Sequence, residues 1–117
     1  MKKQFCLILF LSLFNPLFSQ NKIVTVNTNR LPVLSSLSPY DDSFKEFISI
    51  VDENYKLTSS GEEPLLLFFK YTPDENFSKL IQIASRTNIL YETIATLNGI
   101  SNLQENLKGT PLIIPTC

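Results

Sequence analysis

Between Asp41 and Leu57 the apolar residues Phe44, Phe47, Ile48, Val51 and Tyr55 recur at spacings of three and four. That rhythm lines one face of a helix. Asp41 or Asp42 caps its start, Glu46 follows in the early turns, and Lys56 suits the negative end of the helix dipole. Thr58 to Pro64 gathers Ser, Gly and Pro and reads as a loop. Leu65 to Tyr71 carries a different signal. It is a short apolar run bounded by Pro64 and Pro73, which fits a strand better than a helix. Phe77, Leu80, Ile81 and Ala84 restore the helical stripe, with Ile83 beside it. Ser85-Arg86-Thr87 ends that helix on polar residues, and Asn88 tolerates the left-handed conformation that stops it. Ile94 and Leu97, with Tyr91 or Leu90, mark a further helix. Asn98 and Gly99 close it, and Ile100 is placed to fold back onto Ile94. Leu112 to Ile114 is the final strand, and Pro115 ends it at a sheet edge.

The order strand, helix, helix, strand over 65–115 predicts an α+β unit of βααβ form. Each of its two helices spans only about ten residues and is marginal alone in water. Their stripes must bury against the two-stranded sheet and against each other. Residues 20–64 precede this unit as a linker carrying the amphipathic helix 41–57. Within 20–40, Asn, Thr, Ser and Pro mix with scattered apolar residues, and Leu31-Pro32 and Ser38-Pro39 disfavour helix. This part reads as extended, with a short strand at Lys22–Val26. The first residues are of another kind. Lys2 and Lys3 lead into an apolar run from Phe5 to Phe14, Asn15-Pro16 ends it, and Ser19 offers a small residue at a cut. That is the layout of a signal peptide over residues 1–19. The run is short for a bilayer, which takes about twenty apolar residues. An uncleaved N-terminal anchor is the alternative. Either way the chain is expected outside the cytoplasm, periplasmic or secreted.

Composition then narrows the chemistry. The chain has no histidine. That removes a Ser-His-Asp arrangement, a Cys-His pair and a histidine zinc site. Beyond residue 19, Lys and Arg stand at eight positions against eleven acids, a net charge near −3. No basic stripe survives, so nucleic acid is a poor partner. The only paired acids are the adjacent ones Asp41-Asp42, Asp52-Glu53, Glu62-Glu63 and Asp74-Glu75, side by side in the chain and not set across a bond. Glycoside hydrolysis needs two carboxylates about 5–9 Å apart with one pKa raised. No catalytic residue, metal site or cofactor is therefore expected. Cys6 lies in the leader, which leaves Cys117 without a partner in the mature chain. A lone thiol in an exported protein suggests intermolecular pairing or a chain end that is not the original one. Asn76-Phe77-Ser78 matches a glycosylation acceptor, a match short enough to be common.

The ordered set Ile83-Ala84, Ile94-Ala95-Thr96-Leu97-Asn98-Gly99, Leu107-Lys108-Gly109 and Leu112-Ile113-Ile114-Pro115 resembles the signatures of a LysM module. The resemblance covers Leu66 to Pro115. It implies a βααβ fold that binds N-acetylglucosamine glycans such as peptidoglycan or chitin. The segment Thr72–Leu80 is longer than the family's Gly-Asp-Thr-Leu connection and has no glycine. By resemblance the glycan groove lies between the Thr72–Leu80 loop and the Asn98–Leu112 loop. Its first wall would be Asp74, Asn76 and Phe77, and its second Gly99, Ile100, Ser101 and Asn102. Each has a plainer role beside the binding one. Phe77 fits the core, Gly99 stops a helix, and Asn98 bonds its own turn. The layout from Phe44 to Pro115 is also similar to the N-terminal part of exported spirochaete lysostaphin-type cell-wall endopeptidases. That similarity implies a truncated relative lacking the zinc domain. It keeps open a protein-docking or regulatory role, with a peptidase domain as partner.

Overall fold

A computed structural model of the chain describes residues 27–117. The apolar leader, its cleavage point and the strand expected at Lys22–Val26 lie outside the described residues. Among the described residues no helix is long and apolar enough to cross a membrane. A 3-10 turn at Thr28–Arg30 leads into β1 (Val33–Leu34), then α1 (Asp42–Ser59), β2 (Phe68–Tyr71), α2 (Leu80–Thr87), α3 (Tyr91–Asn98) and β3 (Leu112–Pro115). The fold is α+β.

Helix α1 starts where its cap dictates. The Asp41 carboxylate accepts from the Phe44 N–H at 3.1 Å and from the Ser43 hydroxyl. The Ser43 bond first, and the Phe44 N–H second, hold the Asp41 carboxyl below its usual range. The buried face of α1 is Phe44, Phe47, Val51, Asn54 and Thr58. Tyr55, expected on that face, is exposed at 38%. Asn54 and Thr58 take the inner positions because their polar atoms find partners there. Thr58 Oγ1 donates to the Asn54 carbonyl at 3.0 Å, and Asn54 bonds across the core to Leu65 and Thr116. A buried polar group so satisfied carries little net cost.

The sheet has three strands in the order β1-β2-β3. Strands β2 and β3 pair antiparallel, Phe68 with Pro115 through Tyr71 with Leu112. Strand β1 adds in parallel, Val33 beside Lys70 and Leu34 beside Tyr71. Within the stretch 20–40, read from the sequence as extended linker, Val33–Leu34 thus belongs to the sheet. The Lys70 N–H donates to the Pro32 carbonyl at 2.9 Å, and the Ser35 N–H donates to Ser43 Oγ at 2.9 Å. Leu34 and Leu37 are both 1% exposed. Helix α1 is thus the crossover between two parallel strands, the connection that such a pair requires.

One side of the sheet carries Leu34, Phe69, Tyr71, Leu112 and Ile114 inward. They join Phe44, Phe47 and Val51 of α1, Leu80, Ile83 and Ala84 of α2, and Ile94 and Ala95 of α3 in one core. Phe47 meets Phe69 edge to face, centroids 5.2 Å apart. In α2 the inner stripe is Leu80, Ile83, Ala84 and Thr87. Ile81 faces outward at 60% exposure, and Phe77 precedes the helix. Asn88 ends α2 at φ 62° and Gly99 ends α3 at φ 67°, both left-handed. The Ile100 N–H returns to the Ala95 carbonyl at 2.9 Å, the long bond of a Schellman stop. Pro115 sits on the edge strand β3, where no neighbour asks for its missing N–H. Cys117 is buried, so the folded protein does not present its thiol for intermolecular pairing.

Candidate functional site

The stop at Gly99 throws the chain across the end of α3, and the residues that follow form one wall of an open groove. The side of α3 carrying Tyr91, Glu92, Ala95 and Thr96 forms the other. Gly99, Ile100, Ser101 and Leu103 complete the lining of a space of about 540 Å³. Residues 91, 92, 95, 96 and 99 fall on one helix face by the spacing of one, four, five and eight. Tyr91 and Ile100 are half-buried against the core and shape the floor. Thr96 and Ser101 are exposed and offer hydroxyls. Glu92 is exposed and supplies a carboxylate. The lining is therefore apolar and small, with hydroxyls and one negative charge.

Asn98 fixes both ends of the loop that forms the groove. Its Nδ2 donates to the Ile94 carbonyl at 2.9 Å and to the Ile113 carbonyl at 2.8 Å. Its Oδ1 accepts from the Ile113 N–H at 2.8 Å. The bond to its own helix was legible in the sequence. The clamp onto β3 was not, because it joins residues 15 positions apart.

The seven residues named from the sequence separate into two groups. Gly99, Ile100 and Ser101 line the groove together. Asn102 follows them outside the lining, exposed, with its Oδ1 accepting from the Gln104 N–H at 3.0 Å. Asp74, Asn76 and Phe77 line no part of this groove. Asp74 Oδ1 accepts from the Asn76 N–H at 2.9 Å and from the Phe77 N–H at 3.2 Å, which closes a tight turn. Phe77 packs on the core, with the Arg86 guanidinium 5.3 Å from its ring centroid. Arg86 Nε also donates to the Leu37 carbonyl at 3.2 Å.

The space expected between the two loops is spanned by their own bonds. The Leu107 N–H donates to the Ser78 carbonyl at 2.7 Å, and the Gly109 N–H to the Pro73 carbonyl at 3.0 Å. Lys79 Nζ donates to the Gln104 carbonyl at 2.7 Å, and Lys108 pairs with Glu75 at 2.6 Å. The long connection after β2 thus serves as a seam with the loop before β3. Beneath it the Tyr71 hydroxyl is buried without a hydrogen-bond partner. Burial first, and the Asp74 carboxylate second, push this phenol up to about 12.

Tyr91, Glu92, Ala95, Thr96 and Leu103 are the lining residues that the sequence reading left out. Their signal was present as the helix face around Gly99, but that face only becomes a wall once the loop folds over it. Among the described residues no three of His, Cys, Asp and Glu gather as metal ligands. The sequence matches no protein-family model, no curated protein and no solved structure.

Proposed function

We propose that residues 65–115 act as a LysM-like module of an exported, cell-wall-associated protein. In this reading the module holds N-acetylglucosamine glycan such as peptidoglycan and does not cut it. The observation that carries the reading is the groove between α3 and residues 99–103, set within the βααβ order by the Gly99 stop and the Asn98 clamp. An N-acetyl group presents a methyl, an N–H and a carbonyl. Ala95, Ile100 and Leu103 suit the methyl, and the hydroxyls of Thr96 and Ser101 suit the amide. The half-buried ring of Tyr91 offers a flat apolar platform for a sugar face. The missing histidine supports the non-catalytic part of the proposal. An open groove buries little ligand, so a dissociation constant weaker than about 10 μM is expected.

The test is retention of the chain from residue 20 onward on purified peptidoglycan, followed by calorimetry with chito-oligosaccharides. Ser101→Trp fills the groove from an exposed loop position. It should abolish retention while leaving the melting temperature unchanged. A folded protein that binds neither peptidoglycan nor chitin sinks the reading, and release of soluble sugar contradicts the non-catalytic part. N-terminal sequencing of exported material should begin near Gln20; Met1 retained in a cytoplasmic pool contradicts export. A second reading, docking onto another protein such as a peptidase domain, draws on the outward sheet row of Val33, Lys70 and Ile113, where Val33 is 56% exposed. Co-purification with such a domain, without glycan retention, would favour it.

A further inference from the structure

We infer that the groove responds to the charge of an amino sugar, and that Glu92 shifts its preference toward glycan units whose amine is free, against the acetyl contacts proposed above. This rests on the glycan-binding reading and deepens it. Eight residues line the groove, and Glu92 is the one among them that carries a formal charge. No cation faces it from the lining. The basic residues of the surrounding helix-and-loop unit are committed elsewhere. Lys79 is bound to the Gln104 carbonyl, Lys108 to Glu75, and Arg86 to the Leu37 carbonyl and the Phe77 ring. Among the described residues, then, no cation of the lining or of the neighbouring loops offsets this carboxylate.

A glucosamine unit at neutral or mildly acid pH is an ammonium ion with three donors. Its acetylated form is a neutral amide. A carboxylate at the groove wall attracts the first and is indifferent to the second. The same charge disfavours sugars bearing carboxylates. Glu92 lies in the first turn of α3, where a negative charge also complements the helix dipole. That structural role explains the residue without a ligand, so the test reads a ratio that stability does not move. Glu92 is exposed, so its attraction is that of a screened surface pair, about two- to five-fold in affinity.

The experiment compares binding of a glucosamine oligomer and of the N-acetylglucosamine oligomer of equal length by the purified protein, at low salt and mildly acid pH. Glu92→Gln should lower the ratio of the two affinities by about two- to five-fold. Raising the salt to about 0.5 M should shrink the wild-type ratio by a similar amount, because a surface charge is screened there. The protein is acidic overall, so a polycation could gather on it without using the groove. Glu63→Gln, in the exposed loop after α1, controls for this and should leave the ratio unchanged. An unchanged ratio in Glu92→Gln overturns the charge inference while leaving glycan binding intact. An equal drop in Glu63→Gln overturns it as well. Binding of neither oligomer overturns the glycan reading itself.

Discussion

Replacing Asn54 with alanine should cost this fold about 2–4 kcal/mol, more than most single changes at its surface. Asn54 is 1% exposed and stands on the inner face of α1. Its Nδ2 donates to the Leu65 carbonyl at 2.8 Å, to the Thr116 carbonyl at 3.1 Å and to Thr116 Oγ1 at 3.2 Å. Its Oδ1 accepts from the Leu65 N–H at 2.6 Å. Thr116 Oγ1 in turn donates to the Leu65 carbonyl and accepts from the Leu67 N–H. One carboxamide thus ties the helix to the entry of β2 and to the exit of β3. Alanine leaves the Leu65 N–H and the Thr116 carbonyl without these partners. A buried polar group left bare costs about 1–3 kcal/mol. Leu65 is 57% exposed, so water partly compensates at its backbone, and the total stays at the stated range instead of rising with the number of bonds. For a domain of this size about 1 kcal/mol moves the melting temperature by about 4–8 °C, so a fall of about 10–25 °C is expected. Asn54→Asp separates hydrogen bonding from volume. It can accept from Leu65 but cannot donate, and it turns a carboxylate toward two carbonyls, so it should be at least as damaging as alanine. Glu53→Ala, one residue away on the exposed side, should change stability by less than about 0.5 kcal/mol. The assay is thermal and urea unfolding followed by circular dichroism. A fall below about 4 °C for the alanine variant, or an aspartate variant as stable as the parent, would falsify the claim that this network holds α1 to the sheet. A double-mutant cycle of Asn54→Ala with Thr116→Val should show coupling of about 1 kcal/mol, and simple additivity would count against the network.

The remaining expectations concern single positions. Tyr71→Phe should be neutral or stabilising by up to about 1 kcal/mol, because it removes a hydroxyl with no partner. The same variant tests a pH effect. The Tyr71 phenol is held up at about 12 in the folded state, so folded protein keeps a proton that unfolded protein releases near 10. Stability should fall as pH rises from about 10 toward 12, and less steeply in Tyr71→Phe; parallel alkaline profiles would refute this. Asn98→Ala should cost about 2–3 kcal/mol through three lost bonds and should weaken glycan retention as the groove loop loosens. Gly99→Ala should cost about 1 kcal/mol through backbone strain alone, since φ is 67° and no atom lies within 4 Å of an added Cβ. Asn88→Gly should instead stabilise by a few tenths of a kcal/mol or leave stability unchanged, and chemical denaturation distinguishes the two signs.

What the sequence made legible was whatever repeats locally. The helix stripes, the stops at Asn88 and Gly99 and the closing strand all depend on residues within one or two turns of each other. Strand β1 escaped because two residues cannot display a period, and its place in the sheet is set by Lys70, far along the chain, with Ser43 in the first turn of α1 holding its exit. Asn54 and Thr58 escaped for a related reason. A stripe search keeps the apolar residues and discards polar ones, so it chose Tyr55 where the fold buries Asn54. The partners that make that burial tolerable lie 11 and 62 positions away. No local rule could have named them.

The candidate site divides along the same line. Gly99, Ile100 and Ser101 carry the LysM resemblance, and they line the groove because a helix stop fixes the loop that follows it. Asp74, Asn76 and Phe77 were assigned to a wall by resemblance, and the physical content of that segment points elsewhere. A connection longer than usual and without glycine has backbone groups to satisfy. Here the loops satisfy them against each other, at Ser78 with Leu107 and at Pro73 with Gly109. The seam then occupies the edge that a ligand would need. The open surface moves round to the outer face of α3, where Tyr91, Glu92 and Thr96 meet the loop. A glycan bound there would touch the helix face and the second loop and leave the first loop alone. Exchanging Asp74 or Asn76 should therefore alter stability through the turn they close, whereas exchanging Thr96 or Ser101 should alter glycan retention. If Asn76→Ala weakened retention as strongly as Ser101→Trp, with both proteins fully folded, the seam would have to open for binding, and the placement of the site on α3 would be wrong.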